Sequence, residues 1–85
     1  MFRTIIAPAA TVEDLRAACS ALGESCCNMF TCELVGANGS FFMSSGVIAP
    51  ELESLLETAT AQYGLDVSSE NPLVAMERLQ LEFIP

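Results

Sequence analysis

The sequence contains no histidine and no lysine, so three arginines carry all of its cationic side chains. Without histidine there is no Ser-His or Cys-His relay, and without lysine no Schiff base can form. A carboxylate would have to serve as any general base. We therefore expect that the chain is not an enzyme and that it uses no cofactor.

Positive charge is scarce beside eleven carboxylates, which gives a formal net charge of -8 at pH 7. Phosphate groups repel such a chain, and three arginines are too few for a basic patch. We expect no direct binding to nucleic acid or to a membrane surface. A basic protein partner, including one that itself binds nucleic acid, is the complementary expectation. The alternative is that the carboxylates only keep the protein soluble.

Long apolar runs are missing as well. No run approaches the roughly 18 residues of a membrane span, and no signal-peptide pattern is present, so we expect a cytosolic protein with reduced cysteines. At 85 residues the chain is one domain, 1–85, with a modest core. Because 52% of its residues are hydrophobic, we expect some apolar surface to meet another chain or a second copy of this one.

The four cysteines lack the paired C-x-x-C spacing that brings two thiolates to one metal. We expect no metal site. Cys19 and Cys32 are interpreted as small core residues. Cys26 and Cys27 lie in a loop, where redox sensing stays an alternative although the chain has no lysine or histidine to activate a thiol.

A β-hairpin is the strongest local pattern. Two runs rich in β-branched and aromatic residues, within 28–48, flank the sequence GANG at 36–39. Asn-Gly favours a type I′ turn, so the turn is predicted at Asn38-Gly39. That register places Leu34 opposite Met43.

One face of this hairpin is apolar and the other mixes polar and apolar residues. We expect helices to cover only the apolar face and the mixed face to meet a partner. Its predicted partner-binding residues are Met29, Val35, Phe42 and Ile48. The alternative is that a short third helix or the C-terminal segment covers them.

The remaining elements follow from periodicity and breakers. A first strand is predicted over 2–7, a helix over 12–22 after an N-cap at Thr11, and a second helix from Pro50 to Gly64. A polar loop over 65–71, a helical turn over 72–78 and a strand over 79–84 complete the chain. We predict an α+β, ferredoxin-like split β-α-β fold with a four-stranded antiparallel sheet and two main helices on one face.

The second helix places three carboxylates away from its apolar stripe. Glu51, Glu53 and Glu57 are predicted to imitate a row of phosphates or to meet an arginine cluster of a partner. The alternative is a solvated helix face.

Two segments resemble a family. NMFTC at 28–32 and FMSSGVI at 42–48, followed by an acidic helix, resemble "GMFT" and "YISSG-x-I" segments of small proteins encoded by tailed bacteriophages and prophages. Here Asn28 replaces the usual glycine, and Phe42-Met43 replace Tyr-Ile. The resemblance implies a phage origin and a location in the host bacterial cytoplasm or the virion, and it brings no catalytic residues.

Two functions follow as expectations. The first is a non-enzymatic interaction module, a small virion or assembly accessory protein that binds a phage structural protein or forms a homo-oligomer. The alternative is an acidic anti-defence, anti-CRISPR-like or host-takeover inhibitor that occupies the basic nucleic-acid-binding groove of a host protein.

Overall fold

The computed structural model describes residues 1–23 and 29–85. Each helix is preceded and followed by a strand, two strands in the middle of the chain follow one another directly, and a 3-10 turn, Ala9–Thr11, leads into the first helix. In chain order the elements are β1 Phe2–Pro8, α1 Val12–Ser20, β2 Cys32–Gly36, β3 Gly39–Val47, α2 Pro50–Tyr63, β4 Asp66–Ser68, α3 Pro72–Arg78 and β5 Glu82–Phe83.

The strands form one five-stranded antiparallel sheet in the order β4-β1-β3-β2-β5. The predicted α+β class is confirmed, but the described residues contain five strands instead of four. The extra strand, β4, lies in the segment 65–71 that was predicted as a loop. Its short polar sequence forms a strand because it pairs along β1, where Val67 lies opposite Ile5.

The hairpin turn is Ala37-Asn38, one residue earlier than predicted, and the register of the two strands shifts by two residues. Gly36 pairs with Gly39, so Leu34 lies opposite Phe41, and the prediction that it faces Met43 is wrong. A shift of two residues keeps every side chain on its original face, so the hydrophobic pattern cannot distinguish the two registers. The pairing of β2 with β5, where Val35 lies opposite Glu82, brings Gly36 against the buried side chain of Leu81.

One core lies between the sheet and the two long helices. α1 contributes Val12, Leu15 and Cys19 to it, and α2 contributes Leu52, Leu56 and Ala59. Ile5 and Ala7 of β1 form its floor. The predicted apolar stripe of the second helix is therefore confirmed as a core stripe.

A second, smaller core lies on the opposite face of the sheet, under α3. Ala75 and Met76 of α3 pack there with Ile6, Leu34 and Met43. Both faces of the sheet are therefore covered, and the prediction of helices on the apolar face alone is wrong. The hairpin pattern could not show this, because it does not record which face of the sheet the flanking helices α1 and α2 cover.

The ends of the helices depart from prediction only at α1. Pro50 opens α2, and Gly64 ends it in a left-handed conformation with φ 70°, as predicted. α1 ends at Ser20, two residues short of Leu22, whose side chain is 46% exposed. The hydroxyl of Thr11 donates to the carbonyl of Pro8 at 2.9 Å instead of capping the helix.

Candidate functional site

Each of the three arginines is engaged inside the domain. Arg3 on β1 forms an ion pair with Glu53 of α2 at 3.0 Å. Arg78 of α3 donates to both carboxylate oxygens of Asp66 and to Glu70. These two carboxylates, Asp66 above all, raise the pKa of Arg78 further above its usual range.

The third arginine holds an unusual turn. Arg16 of α1 donates to the carbonyl oxygen of Phe30 at 2.7 Å, and its guanidinium lies 5.6 Å from the centre of the Phe42 ring. Phe30 is buried and has a positive φ of 60°, which a bulky residue rarely adopts. Arg16 therefore acts as a structural residue that ties α1 to the start of β2.

The exposed charged side chains of the described residues are mostly acidic, with Arg16 and Arg78 as the exposed cations. Glu53, Asp66 and Glu70 are neutralised by arginine within the fold. The other carboxylates of the described residues form no ion pair: Glu13, Asp14, Glu33, Glu51, Glu57, Glu77 and Glu82. A partner that approaches this protein meets carboxylates that have no internal counter-charge.

The four predicted apolar partner residues do not form an open patch. Met29 and Ile48 are buried in the core under α1 and α2, and Phe42 packs partly buried against the same core. Val35 alone among them is substantially exposed, at 40%. The expectation that they share an uncovered face is wrong, because α1 and α2 cover that face.

The three predicted acidic residues of α2 also separate. Glu51 and Glu57 are exposed, whereas Glu53 is half-buried and bound to Arg3. Arg3 also donates to the hydroxyl of Ser69 beside β4, so Glu53 belongs to the contact between α2 and the sheet. Two of the three carboxylates remain available to a partner.

The open surface lies instead beside α3. One stripe of α3 and the chain entering β5 line a groove of about 400 Å³. Its apolar part consists of Leu73, Met76 and Leu81, and its polar part of Glu77, Gln80 and Glu82. We call this feature the α3–β5 groove.

The turn between α3 and β5 gives the groove its shape. The amide of Leu81 donates to the carbonyl of Met76, and that of Gln80 donates to Glu77, which is the Schellman arrangement of a helix C-terminus. Gln80 takes the left-handed position with φ 56°. Leu81 and Met76 then pack together in the core under α3, so the groove has a fixed floor.

Exposed apolar side chains accompany the groove. Leu73 is 63% exposed on its wall. Phe83 is 51% exposed and lies opposite Leu34 in the sheet, so its side chain leaves the sheet on the α3 side. At the far end of the same face Val47, 84% exposed, lies opposite Phe2.

A second concavity lies at the hairpin turn. This cleft of about 330 Å³ has an apolar floor that includes Ile6, Phe41 and Leu65, while Asn38 and Gln80 provide amide groups. The carboxylate of Asp66 also lines it, but both oxygens accept hydrogen bonds from Arg78. The cleft thus provides an apolar floor and two neutral amide side chains.

Other site classes can be examined directly. Within residues 1–23 and 29–85, no three or more histidine, cysteine or acidic side chains converge as metal ligands. No helix in the described part of the chain is long and apolar enough to cross a membrane. Cys19 donates weakly to the sulfur of Met29 at 3.9 Å, and Cys32 is half-buried, so the core interpretation of both is confirmed. Cys26 and Cys27 lie outside the described residues.

Comparison with family models, curated proteins and solved structures finds no match to this chain.

Sequence reasoning missed the α3–β5 groove although part of its signal is present. The segment PLVAMER combines exposed Leu73 and Val74 with buried Ala75 and Met76, so it is apolar on more than its core side. Such an excess of apolar residues on a short helix indicates a second contact surface. The position of the groove depends on the pairing of β5 with β2, which the local pattern does not reveal.

Proposed function

We propose that the chain is a non-enzymatic protein-interaction module of phage or prophage origin, a small accessory protein of the virion or of its assembly. The observation that carries the proposal is the α3 side of the sheet, where exposed Leu73 and Phe83 accompany the α3–β5 groove. Exposed apolar side chains beside a groove are typical of surfaces that bind another protein.

A ferredoxin-like core is part of the proposal. The first four strands follow the order β4-β1-β3-β2, and α1 and α2 share one core on one face. This arrangement supports the proposal of a split β-α-β unit. α3 and β5 would then be a C-terminal addition, and the proposed binding surface lies on this addition.

A second candidate function is the acidic inhibitor of a basic host protein. It is favoured by a separate observation: all three arginines make contacts inside the fold, while Glu51 and Glu57 of α2 are exposed. A surface on which unpaired carboxylates predominate suits a basic nucleic-acid-binding groove. In that case α2 would form the contact, and the α3–β5 groove would not.

Native mass spectrometry of the full chain, produced together with the phage structural proteins, tests the first candidate. We expect a defined complex that is lost on Phe83→Asp and retained on the double reversal Glu51→Lys, Glu57→Lys. Both sites are exposed, so neither change removes a core contact.

The reverse result overturns the assembly proposal. A complex that survives Phe83→Asp but disappears on reversal of the two α2 glutamates would support the inhibitor instead. A chain that stays a monomer among all structural proteins would also contradict the assembly proposal.

A further inference from the structure

We infer that the α3–β5 groove binds an amphipathic segment of its partner in which apolar side chains are flanked by lysine or arginine. This inference rests on the proposed interaction function and names the chemistry of the partner. It combines two independent properties of the groove, its apolar floor and its unpaired acidic walls.

The floor provides a site for apolar anchors. Met76 and Leu81 are fixed in the core under α3, and Leu73 stands beside them largely exposed. Leu73, Met76 and Glu77 share one face of α3, since positions three and four apart lie on the same side of a helix, and Gln80 follows beyond the end of the helix. The groove therefore follows the helix, which suits the regularly spaced anchors of an extended or helical segment.

The walls provide charge. Glu77 lies on α3 and Glu82 on β5, and both residues line the groove. Among the described residues neither has a cation within ion-pair distance. The nearest arginine in sequence, Arg78, does not line the groove and donates instead to Asp66 and Glu70.

The acidic charge of the groove distinguishes between two possible occupants, a second copy of this chain and a basic segment of a partner. A second copy of this chain carries the same net charge of -8 and would bring further carboxylates toward Glu77 and Glu82. Like charges brought together at an interface cost binding free energy, whereas lysine or arginine gains it. The groove therefore fits a basic amphipathic segment better than a self-association surface.

The probe is a synthetic helical peptide of about 18 residues in which leucine recurs at i, i+3, i+4 and i+7 and lysine fills the other positions. Binding to the isotope-labelled full chain is followed by NMR chemical shifts. We expect the shifts to change in α3 and β5 and to leave α2 unaffected. A peptide of the same composition in scrambled order should bind at least about tenfold more weakly, because it cannot present its leucines on one face.

Two pairs of substitutions separate the site from general charge attraction. Glu77→Gln with Glu82→Gln should weaken binding about tenfold, and the matched control Glu51→Gln with Glu57→Gln should change it less than about twofold. All four side chains are exposed, so each double variant is expected to fold. Leu73→Ser should also weaken binding about tenfold.

Equal binding of the ordered and scrambled peptides, or equal loss from the two double variants, would overturn the inference. Shift changes confined to α2 would also overturn it. These results leave the proposed function standing if a phage protein complex is still lost on Phe83→Asp. If no variant of the groove loses that complex, the proposed function itself is contradicted.

Discussion

Arg78 binds both carboxylate oxygens of Asp66, at 3.0 and 2.7 Å, and so fastens the end of α3 to the edge strand β4. Its Nε atom donates to Glu70 at 2.7 Å. One arginine thus connects three successive parts of the C-terminal segment. The α3–β5 groove depends on this contact because it depends on the placement of α3.

Replacing this arginine should loosen α3. Arg78→Gln removes the bidentate pair and leaves Asp66 and Glu70 as neighbouring like charges, so we expect a lower melting temperature. The matched control is Glu77→Gln, one residue earlier and without an ion pair. Thermal unfolding by circular dichroism measures both. A lower melting temperature for the control than for Arg78→Gln would contradict the role given to Arg78.

Gly36 should be required for full stability of the fold, whereas Gly46 should not. A Cβ atom at Gly36 would lie 2.6 Å from Cδ2 of Leu81 and 3.3 Å from the carbonyl of Gln80, whereas at Gly46 it meets nothing within 4 Å. We expect Gly36→Ala to cost about 1–2 kcal/mol of unfolding free energy because buried Leu81 must shift. Gly46→Ala should change it by less than about 0.5 kcal/mol.

Denaturant titration measures both glycine variants. Similar losses in the two would show that the turn after α3 does not pack against the hairpin as described. The comparison also tests the pairing of β2 with β5, since that pairing places Gly36 beside Leu81.

Replacing Gln80 with glycine should stabilise the fold. It holds the left-handed position of the helix end with φ 56°, where a side chain costs free energy and glycine does not. We expect Gln80→Gly to raise the unfolding free energy by up to about 1 kcal/mol. The same change at Gln62, inside α2, should lower it by a similar amount. Equal losses at both positions would contradict the helix end described here.

Truncation of Phe42 should lower the stability of the fold much more than truncation of Phe83. Phe42 packs against the core and under Arg16, so Phe42→Ala should cost about 2–3 kcal/mol. Phe83 is half exposed at the sheet edge, so Phe83→Ala should cost less than about 1 kcal/mol and act mainly on binding. A large loss of stability from Phe83→Ala would show that Phe83 is a core residue instead.

Salt should stabilise the isolated chain. Its ion pairs are partly exposed and few, while its net charge is -8, so screening relieves more repulsion than attraction. We expect the melting temperature to rise between low and moderate sodium chloride. A fall would mean that the arginine contacts outweigh the repulsion among the carboxylates.

The sequence predicts those features that depend on residues close together in the chain, such as helix ends and hairpins. Pro50 and Gly64 bound α2 because their backbone chemistry acts at the position where they stand, and the hairpin exists because its two strands adjoin. Pairings between distant segments are not local. β4 forms only because β1 accepts it, and Val67 gives no strong strand signal in its polar surroundings.

The prediction of an uncovered apolar face was wrong for the same reason. Phe42 and Val35 look equally exposed on a hairpin considered alone, but α1 and α2 cover only Phe42. Glu53 matches Glu57 on a helical wheel, yet it lies within reach of Arg3 on the first strand. The exposure of a side chain depends on which elements pack together in the folded chain. Neither the spacing nor the composition of one segment predicts those contacts.

Site-specific photo-crosslinking tests the central claim most directly. A benzophenone amino acid replaces Phe83 in the full chain, or Gln62 on exposed α2 as the control, and the chain is irradiated in bacteria that produce the phage proteins. The account predicts one dominant adduct from position 83, to a structural or assembly protein with a basic amphipathic segment, and none to that protein from position 62. An adduct to a basic host protein from position 62 alone would contradict it.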